Sequence, residues 1–131
     1  MHTILLVDDS PTIRRMVRAA LGSIPDVVFT EAGSGVQAIE TLAMQPVQMM
    51  VLDLNMPDMH GLEVLRFLRS HQHYRDLPVM VLTTRGDEIS RDAAIQAGAS
   101  AYLTKPFSPS VLASSVCRLL RPSAALPPQE T

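Results

Sequence analysis

Five short apolar runs divide the chain, and their spacing limits the possible folds more than any other feature of the sequence. The runs occupy residues 4–7, 27–30, 49–52, 79–82 and 101–103. Each run is rich in aliphatic and β-branched residues and has the length of a strand. Each interval between two runs leaves room for one helix. The sequence therefore predicts five strands that alternate with helices.

The intervals carry helix signals. Ser10 followed by Pro11 is a helix-start pattern, and the same pair of residue types recurs at positions 108 and 109. Ser34 and Gln37 have the spacing of a capping box, in which each side chain caps the backbone of the other residue. Gly98 follows an alanine-rich segment and is expected to end a helix there.

Strict alternation of strands and helices predicts a parallel sheet with right-handed crossovers and helices on both faces. The first, third and fourth runs are wholly apolar, as strands in the middle of such a sheet should be. The second and fifth runs contain Thr30 and Tyr102, which favours the edges. The expected fold class is α/β, a doubly wound, flavodoxin-like sheet of five parallel strands in the order 2-1-3-4-5 with five helices.

Length and charge narrow the classes of partner. We expect one domain over residues 1–121 and a disordered, proline-rich tail over residues 122–131. The net charge of −2 and the lack of a basic cluster argue against nucleic acid, and no apolar run approaches the roughly 20 residues of a membrane span. Cys117 is the single cysteine, which fits a reducing compartment and predicts a cytoplasmic location.

Polar residues follow the predicted strands at the edge where such sheets bind ligands. Asp8 and Asp9 follow the first run, Asp53 the third and Thr83 the fourth. Two carboxylates ~5 Å apart repel each other by on the order of 3 kcal/mol at an effective dielectric of about 20, so the cluster needs a cation. Its ligands are hard oxygens, which favours Mg²⁺ and argues against zinc.

Lys105 follows the fifth run and is the only lysine of the chain. Pro106 restricts the backbone of Lys105 and directs its side chain toward the same edge. Carboxylates, Mg²⁺, an ammonium group and a hydroxyl together suit a phosphoryl group. One of the carboxylates would be the in-line nucleophile.

These residues resemble the receiver domain of bacterial response regulators, of the single-domain chemotaxis type. The resemblance covers residues 3 to about 120 and rests on the following segments: Asp8-Asp9, residues 53–61 (DLNMPDMHG), Thr83 and residues 105–107 (KPF). It implies that Asp53 accepts a phosphoryl group from a sensor histidine kinase. It also implies that Asp9, Asp53 and the backbone carbonyl of Asn55 bind Mg²⁺, with Asp8 acting directly or through water.

The resemblance further implies how the phosphoryl group is sensed. Lys105 would pair with the phosphoryl group, and Thr83 would swing toward it. Tyr102 would turn inward as a coupled switch that reshapes the face made by helix four, strand five and helix five. That face would contact an effector protein or a histidine phosphotransfer protein. The protein would then be a phosphoacceptor switch and not an enzyme of metabolism.

Three alternatives stay open from the residues. A Mg²⁺-dependent phosphatase with an aspartyl nucleophile would need a second aspartate where Asn55 stands. A flavin carrier would place its phosphate beside Asp8 and Asp9, which would repel it. A pseudo-receiver that acts only as a scaffold would not need the complete set of acidic, hydroxyl and lysine residues.

Overall fold

A single sheet of five parallel strands forms the centre of the molecule, in the order β2-β1-β3-β4-β5. The computed structural model describes residues 1–120. The strands are β1 His2–Val7, β2 Val27–Ala32, β3 Met49–Leu52, β4 Val79–Thr83 and β5 Ala101–Thr104. The predicted fold class and strand order are confirmed, and the proposed tail over residues 122–131 lies outside the described residues.

Burial explains which strands occupy the middle of the sheet. Every residue of β3 and β4 is buried, as are the last four residues of β1. The edge strands β2 and β5 are only partly covered, and they contain Thr30 and Tyr102, as expected. Apolar residues on both faces of the middle strands therefore require helices on both sides of the sheet.

In the described part of the chain, residues 1–120, five helices cover the two faces of the sheet. They are α1 Pro11–Leu21, α2 Gly35–Met44, α3 Gly61–Ser70, α4 Glu88–Gln96 and α5 Pro109–Leu120. One apolar layer is built with α2, α3 and α4, and the other with α1 and α5. Successive strand residues point to opposite faces, so Leu5 joins the first layer while Ile4 and Leu6 join the second. None of the helices within residues 1–120 has the length and apolar character that a membrane crossing requires.

The predicted helix ends are confirmed with one difference. The Ser10 side chain accepts a hydrogen bond from the backbone of residue 13, and Ser34 accepts one from the backbone of Gln37. The Gln37 side chain, however, accepts a hydrogen bond from the Gly33 N–H at 2.7 Å, so only half of the expected capping box is present. Gly98 follows α4 with a φ of 110°, a left-handed conformation that favours glycine.

Arg69 ties the end of α3 to the end of α4. Its guanidinium donates two hydrogen bonds to the Gly98 carbonyl, at 3.0 and 2.8 Å. It donates two more, both at 3.1 Å, to the carbonyls of Tyr74 and Arg75 in the segment before β4. Burial lowers the pKa of Arg69, and the charge of Asp76 opposes this shift. One side chain thus caps backbone groups of two neighbouring segments.

Candidate functional site

Three carboxylates meet at the carboxyl edge of the sheet. Val7 and Leu52 are paired in neighbouring strands, and this register places Asp8 and Asp53 side by side. Oxygen atoms of Asp8, Asp9 and Asp53 all lie within 4.8 Å of one another. Asp8 and Asp53 are buried and Asp9 is exposed. The cluster predicted from the sequence is therefore present, and it opens to solvent at Asp9.

Lys105 supplies a positive charge to this cluster. Its Nζ atom lies 2.7 Å from Oδ2 of Asp8 and 3.6 Å from Oδ2 of Asp53. The Lys105 side chain is 11% exposed, so water screens these contacts little. The Lys105–Pro106 peptide bond is cis. A single ammonium group among three carboxylates leaves negative charge unbalanced, and such a site favours a bound cation.

The groups around Asp53 shift the pKa of its carboxyl in opposite directions. Burial raises the pKa of the Asp53 carboxyl above its ordinary value; Lys105 opposes the rise and Asp8 adds to it. Hydrogen bonds from the Asn55 backbone and the Thr83 hydroxyl also oppose it. The Asn55 N–H lies 3.3 Å from Oδ1 of Asp53. The participation of the Asn55 carbonyl in metal binding stays a prediction.

The loop after Asp53 packs directly on the start of α3. A β-carbon on Gly61 would lie 2.7 Å from the Asp53 carbonyl oxygen and 2.7 Å from Cα of Leu54, so this close approach requires glycine. His60 caps α3. Its ring Nδ1 accepts a hydrogen bond from the Leu62 backbone N–H at 3.1 Å, and its backbone N–H donates one to Oε1 of Glu63 at 3.1 Å. The helix therefore fixes the backbone at the end of β3.

Asp58 connects the same loop to α2. Its two carboxylate oxygens accept hydrogen bonds from Gly35 N–H at 3.2 Å and Val36 N–H at 3.1 Å. The backbone hydrogen bond from Val36, with a further one from Gly35, lowers the pKa of Asp58. This contact could not be predicted from the sequence, because Ser34 already supplies the local cap of α2 and no local pattern indicates a second cap from a distant loop.

Thr83 and Tyr102 meet at the backbone of one residue. The Arg85 N–H lies 3.4 Å from Oγ1 of Thr83, which is fully buried. The Tyr102 hydroxyl donates a hydrogen bond to the Arg85 carbonyl. Burial raises the pKa of Tyr102. The segment after β4 therefore joins a buried hydroxyl at the site to an aromatic residue on the edge strand.

Comparisons with known proteins agree with this arrangement. A family model described as the response regulator receiver domain matches residues 4–117. The chain is 37% identical over 110 residues to the chemotaxis protein CheY homolog of Campylobacter jejuni, covering 83% of this chain and 85% of the relative. A putative response regulator from Chloroflexus aurantiacus has a TM-score of 0.85 and 31% identity, covering 91% of this chain and 97% of that one.

A further solved structure shows a metal in a protein of the same shape. It is the receiver domain of a sensor histidine kinase from Pseudomonas aeruginosa, with a magnesium ion coordinated in its active site cleft. Its TM-score is 0.81 at 28% identity, and the match covers 91% of this chain and 97% of that one. This chain belongs to the response regulator receiver domain family, and it is a phosphoacceptor of two-component signalling and not a classical enzyme.

Proposed function

We propose that Asp53 accepts a phosphoryl group from a sensor histidine kinase, with Mg²⁺ bound beside it. One observation carries this proposal: Asp53 is a buried carboxylate with two further carboxylates within 4.8 Å and the Lys105 ammonium at 3.6 Å. Three carboxylates and an ammonium group thus lie around one point at the edge of the sheet, which supports a nucleophile, a cation site and an anion partner there.

The donor set fits Mg²⁺. Its charged ligands are carboxylate oxygens, and the exposed position of Asp9 leaves access for the water molecules that Mg²⁺ usually keeps. Asp9, Asp53 and the carbonyl of Asn55 would hold the ion, with Asp8 acting directly or through water. When bound, Mg²⁺ neutralises charge on the phosphoryl oxygens and positions them.

The transfer step follows from the residues around Asp53. An oxygen of the Asp53 carboxylate attacks phosphorus, the bond from phosphorus to the donor imidazole nitrogen breaks, and the imidazole leaves with the electron pair. Lys105 pairs with a phosphoryl oxygen, and the Thr83 hydroxyl donates a hydrogen bond to another. The product is an acyl phosphate on Asp53.

The same hydroxyl links the phosphoryl group to a protein-binding face. The phosphoryl group itself carries roughly −1.5 to −2 charges, by analogy with the hydroxyl phosphates. Since the ionised Asp53 carboxylate loses its own charge when the acyl phosphate forms, the site as a whole gains roughly −0.5 to −1. When Thr83 turns toward this charge it leaves the Arg85 N–H, and the Arg85 carbonyl is the group that holds the Tyr102 hydroxyl. Tyr102 would respond by turning inward. The face formed by α4, β5 and α5 would then bind an effector or a histidine phosphotransfer protein.

Labelling with acetyl phosphate tests this proposal. Intact mass should increase by one phosphoryl group when Mg²⁺ is present, and the increase should vanish with EDTA and in Asp53→Asn. Asp58→Asn is the matched control, because it removes a carboxylate of the same loop that lies outside the acidic cluster. Full labelling of Asp53→Asn, or labelling that does not depend on a divalent ion, would contradict the proposal.

A further inference from the structure

Arg14 on α1 holds the backbone between two of the clustered carboxylates. One nitrogen of its guanidinium, Nη1, donates a hydrogen bond to the backbone carbonyl of Asp8. The Nε atom donates to Oε1 of Glu31 on β2 at 2.8 Å. The Arg14 side chain is 17% exposed; its contact with the Asp8 carbonyl is partly buried, and its contact with Glu31 faces solvent.

The carbonyl that Arg14 binds belongs to the peptide unit that leads into Asp9. The other polar groups of Asp8 are also fixed: its N–H donates to the Ala32 carbonyl at 3.1 Å, Oδ1 accepts from Ser10 N–H at 2.9 Å, and Oδ2 accepts from Lys105 at 2.7 Å. Within residues 1–120, the Asp9 side chain accepts no hydrogen bond. The orientation of the Asp8–Asp9 peptide plane therefore sets where the exposed Asp9 carboxylate points.

We propose that Arg14 is a positioning residue for metal binding, because it fixes the peptide plane that directs Asp9 toward the ion. This inference rests on the proposed function, since it takes Asp9 as a metal ligand. Glu31 holds the guanidinium in place, and the hydrogen bond from Arg14 lowers the pKa of Glu31, with a smaller contribution from Arg18. Glu31 is thus ionised at neutral pH and forms an ion pair with Arg14.

Arg18 provides a matched control on the same helix. It also binds Glu31, through Nη1 at 2.6 Å, but its side chain is 51% exposed and it has no recorded contact with Asp8. Arg14→Gln and Arg18→Gln each remove one positive charge and one ion pair to the same carboxylate. Only the first variant releases the Asp8 carbonyl, so a difference between the two reports on that contact and not on net charge.

The experiment measures the Mg²⁺ dissociation constant by calorimetry and the free energy of unfolding in EDTA for each variant. Residues that orient metal ligands typically change metal affinity by about 10–100-fold when they are replaced. We expect Arg14→Gln to weaken Mg²⁺ binding by roughly 10-fold or more, and Arg18→Gln to change it by less than about 2-fold. Arg14→Lys keeps a donor for the Asp8 carbonyl and should recover part of the affinity.

The outcomes separate this inference from the proposed function. Equal Mg²⁺ affinity in wild type and Arg14→Gln, or equal losses in Arg14→Gln and Arg18→Gln, would overturn the role of Arg14. If Arg14→Gln fails to fold, Arg14→Lys and Glu31→Gln take its place. Wild-type affinity in both of these variants would overturn the inference. A wild-type protein that does not bind Mg²⁺ would overturn the proposed metal site itself, a different failure that the wild-type titration alone reveals.

Discussion

Without metal, the Asp53→Asn variant should be more stable than the wild type. In saturating Mg²⁺ the wild type should be the more stable of the two. Asparagine has nearly the same shape as aspartate but carries no charge, so it avoids the cost of burying an ion. In saturating Mg²⁺ the wild type gains binding free energy that the variant, with one carboxylate fewer, gains to a smaller extent. The same substitution therefore has opposite signs in the two conditions.

The charges around Asp53 determine how much Asp53→Asn changes the free energy of unfolding without metal. At an effective dielectric of about 20, Asp8 within 4.8 Å of Asp53 repels it by on the order of 3 kcal/mol. Lys105 at 3.6 Å attracts it by on the order of 4–5 kcal/mol. The exposed Asp9 adds a weaker repulsion, so the charge pairs nearly cancel and burial determines the sign. We expect a stabilisation on the order of 1–2 kcal/mol, or roughly 4–8 °C in Tm.

The pH dependence has a definite direction. The pKa of Asp53 is raised in the folded state, so its ionised form destabilises the fold at neutral pH. This destabilisation is lost as the pH falls through the raised pKa toward the ordinary carboxyl value of 3.8. The advantage of Asp53→Asn in EDTA should therefore be largest near pH 7 and shrink on acidification.

Urea unfolding of wild type and variant in EDTA and in saturating Mg²⁺ checks this prediction. At 100 times its dissociation constant, a ligand that binds only the folded state adds about 2.7 kcal/mol, which exceeds the expected metal-free difference. Asp58→Asn serves as a control, since asparagine keeps only one of the two oxygens that accept hydrogen bonds at the start of α2, and its lower stability should appear in both conditions. An Asp53→Asn variant that is less stable than wild type in EDTA at pH 7 would show that the buried Asp53 charge does not destabilise the metal-free protein.

Two further predictions concern the two ends of α3. Arg69→Met should lower the free energy of unfolding by about 2–3 kcal/mol, because it leaves backbone carbonyls without a donor. Arg66→Met on the same helix should change it by less than about 0.5 kcal/mol. Equal urea midpoints for the two variants would contradict this prediction. Gly61→Ala should cost about 1–3 kcal/mol and slow phosphorylation by acetyl phosphate, since its β-carbon would collide with the backbone at the end of β3. Gly22→Ala, whose β-carbon would meet nothing closer than 3.4 Å, is its control, and a Gly61→Ala variant as stable and as active as Gly22→Ala would be the opposite result.

The sheet could be predicted from the sequence because its signals are local and repeated. Wholly apolar runs mark strands that are covered on both faces, and Thr30 and Tyr102 mark the edges, so composition separates middle from edge strands and favours the observed order without fixing it. Asp8 and Asp53 converge because they follow neighbouring parallel strands, and Lys105 reaches the same edge of the sheet from the end of β5.

Contacts made by long side chains across elements could not be predicted in this way. Arg14 reaches the Asp8 carbonyl and Glu31 from another element, and Asp58 caps a helix that lies more than 20 residues earlier in the chain. Such contacts depend on loop paths and rotamers, which leave no periodic trace in the sequence. His60 is similar: histidine is not a common helix cap, and only the path of the loop after β3 shows that its ring accepts the Leu62 N–H.

The proposed phosphoryl transfer requires Asp9, Asp53 and Lys105 to converge around one divalent ion. Anomalous diffraction from crystals soaked in Mn²⁺, an ion with similar ligand preferences, measures this directly. We expect a peak about 2–2.3 Å from carboxylate oxygens of both Asp9 and Asp53, with the Lys105 ammonium still beside Asp53. Absence of a peak between these carboxylates at saturating Mn²⁺, or a Lys105 side chain directed away from Asp53, would contradict it.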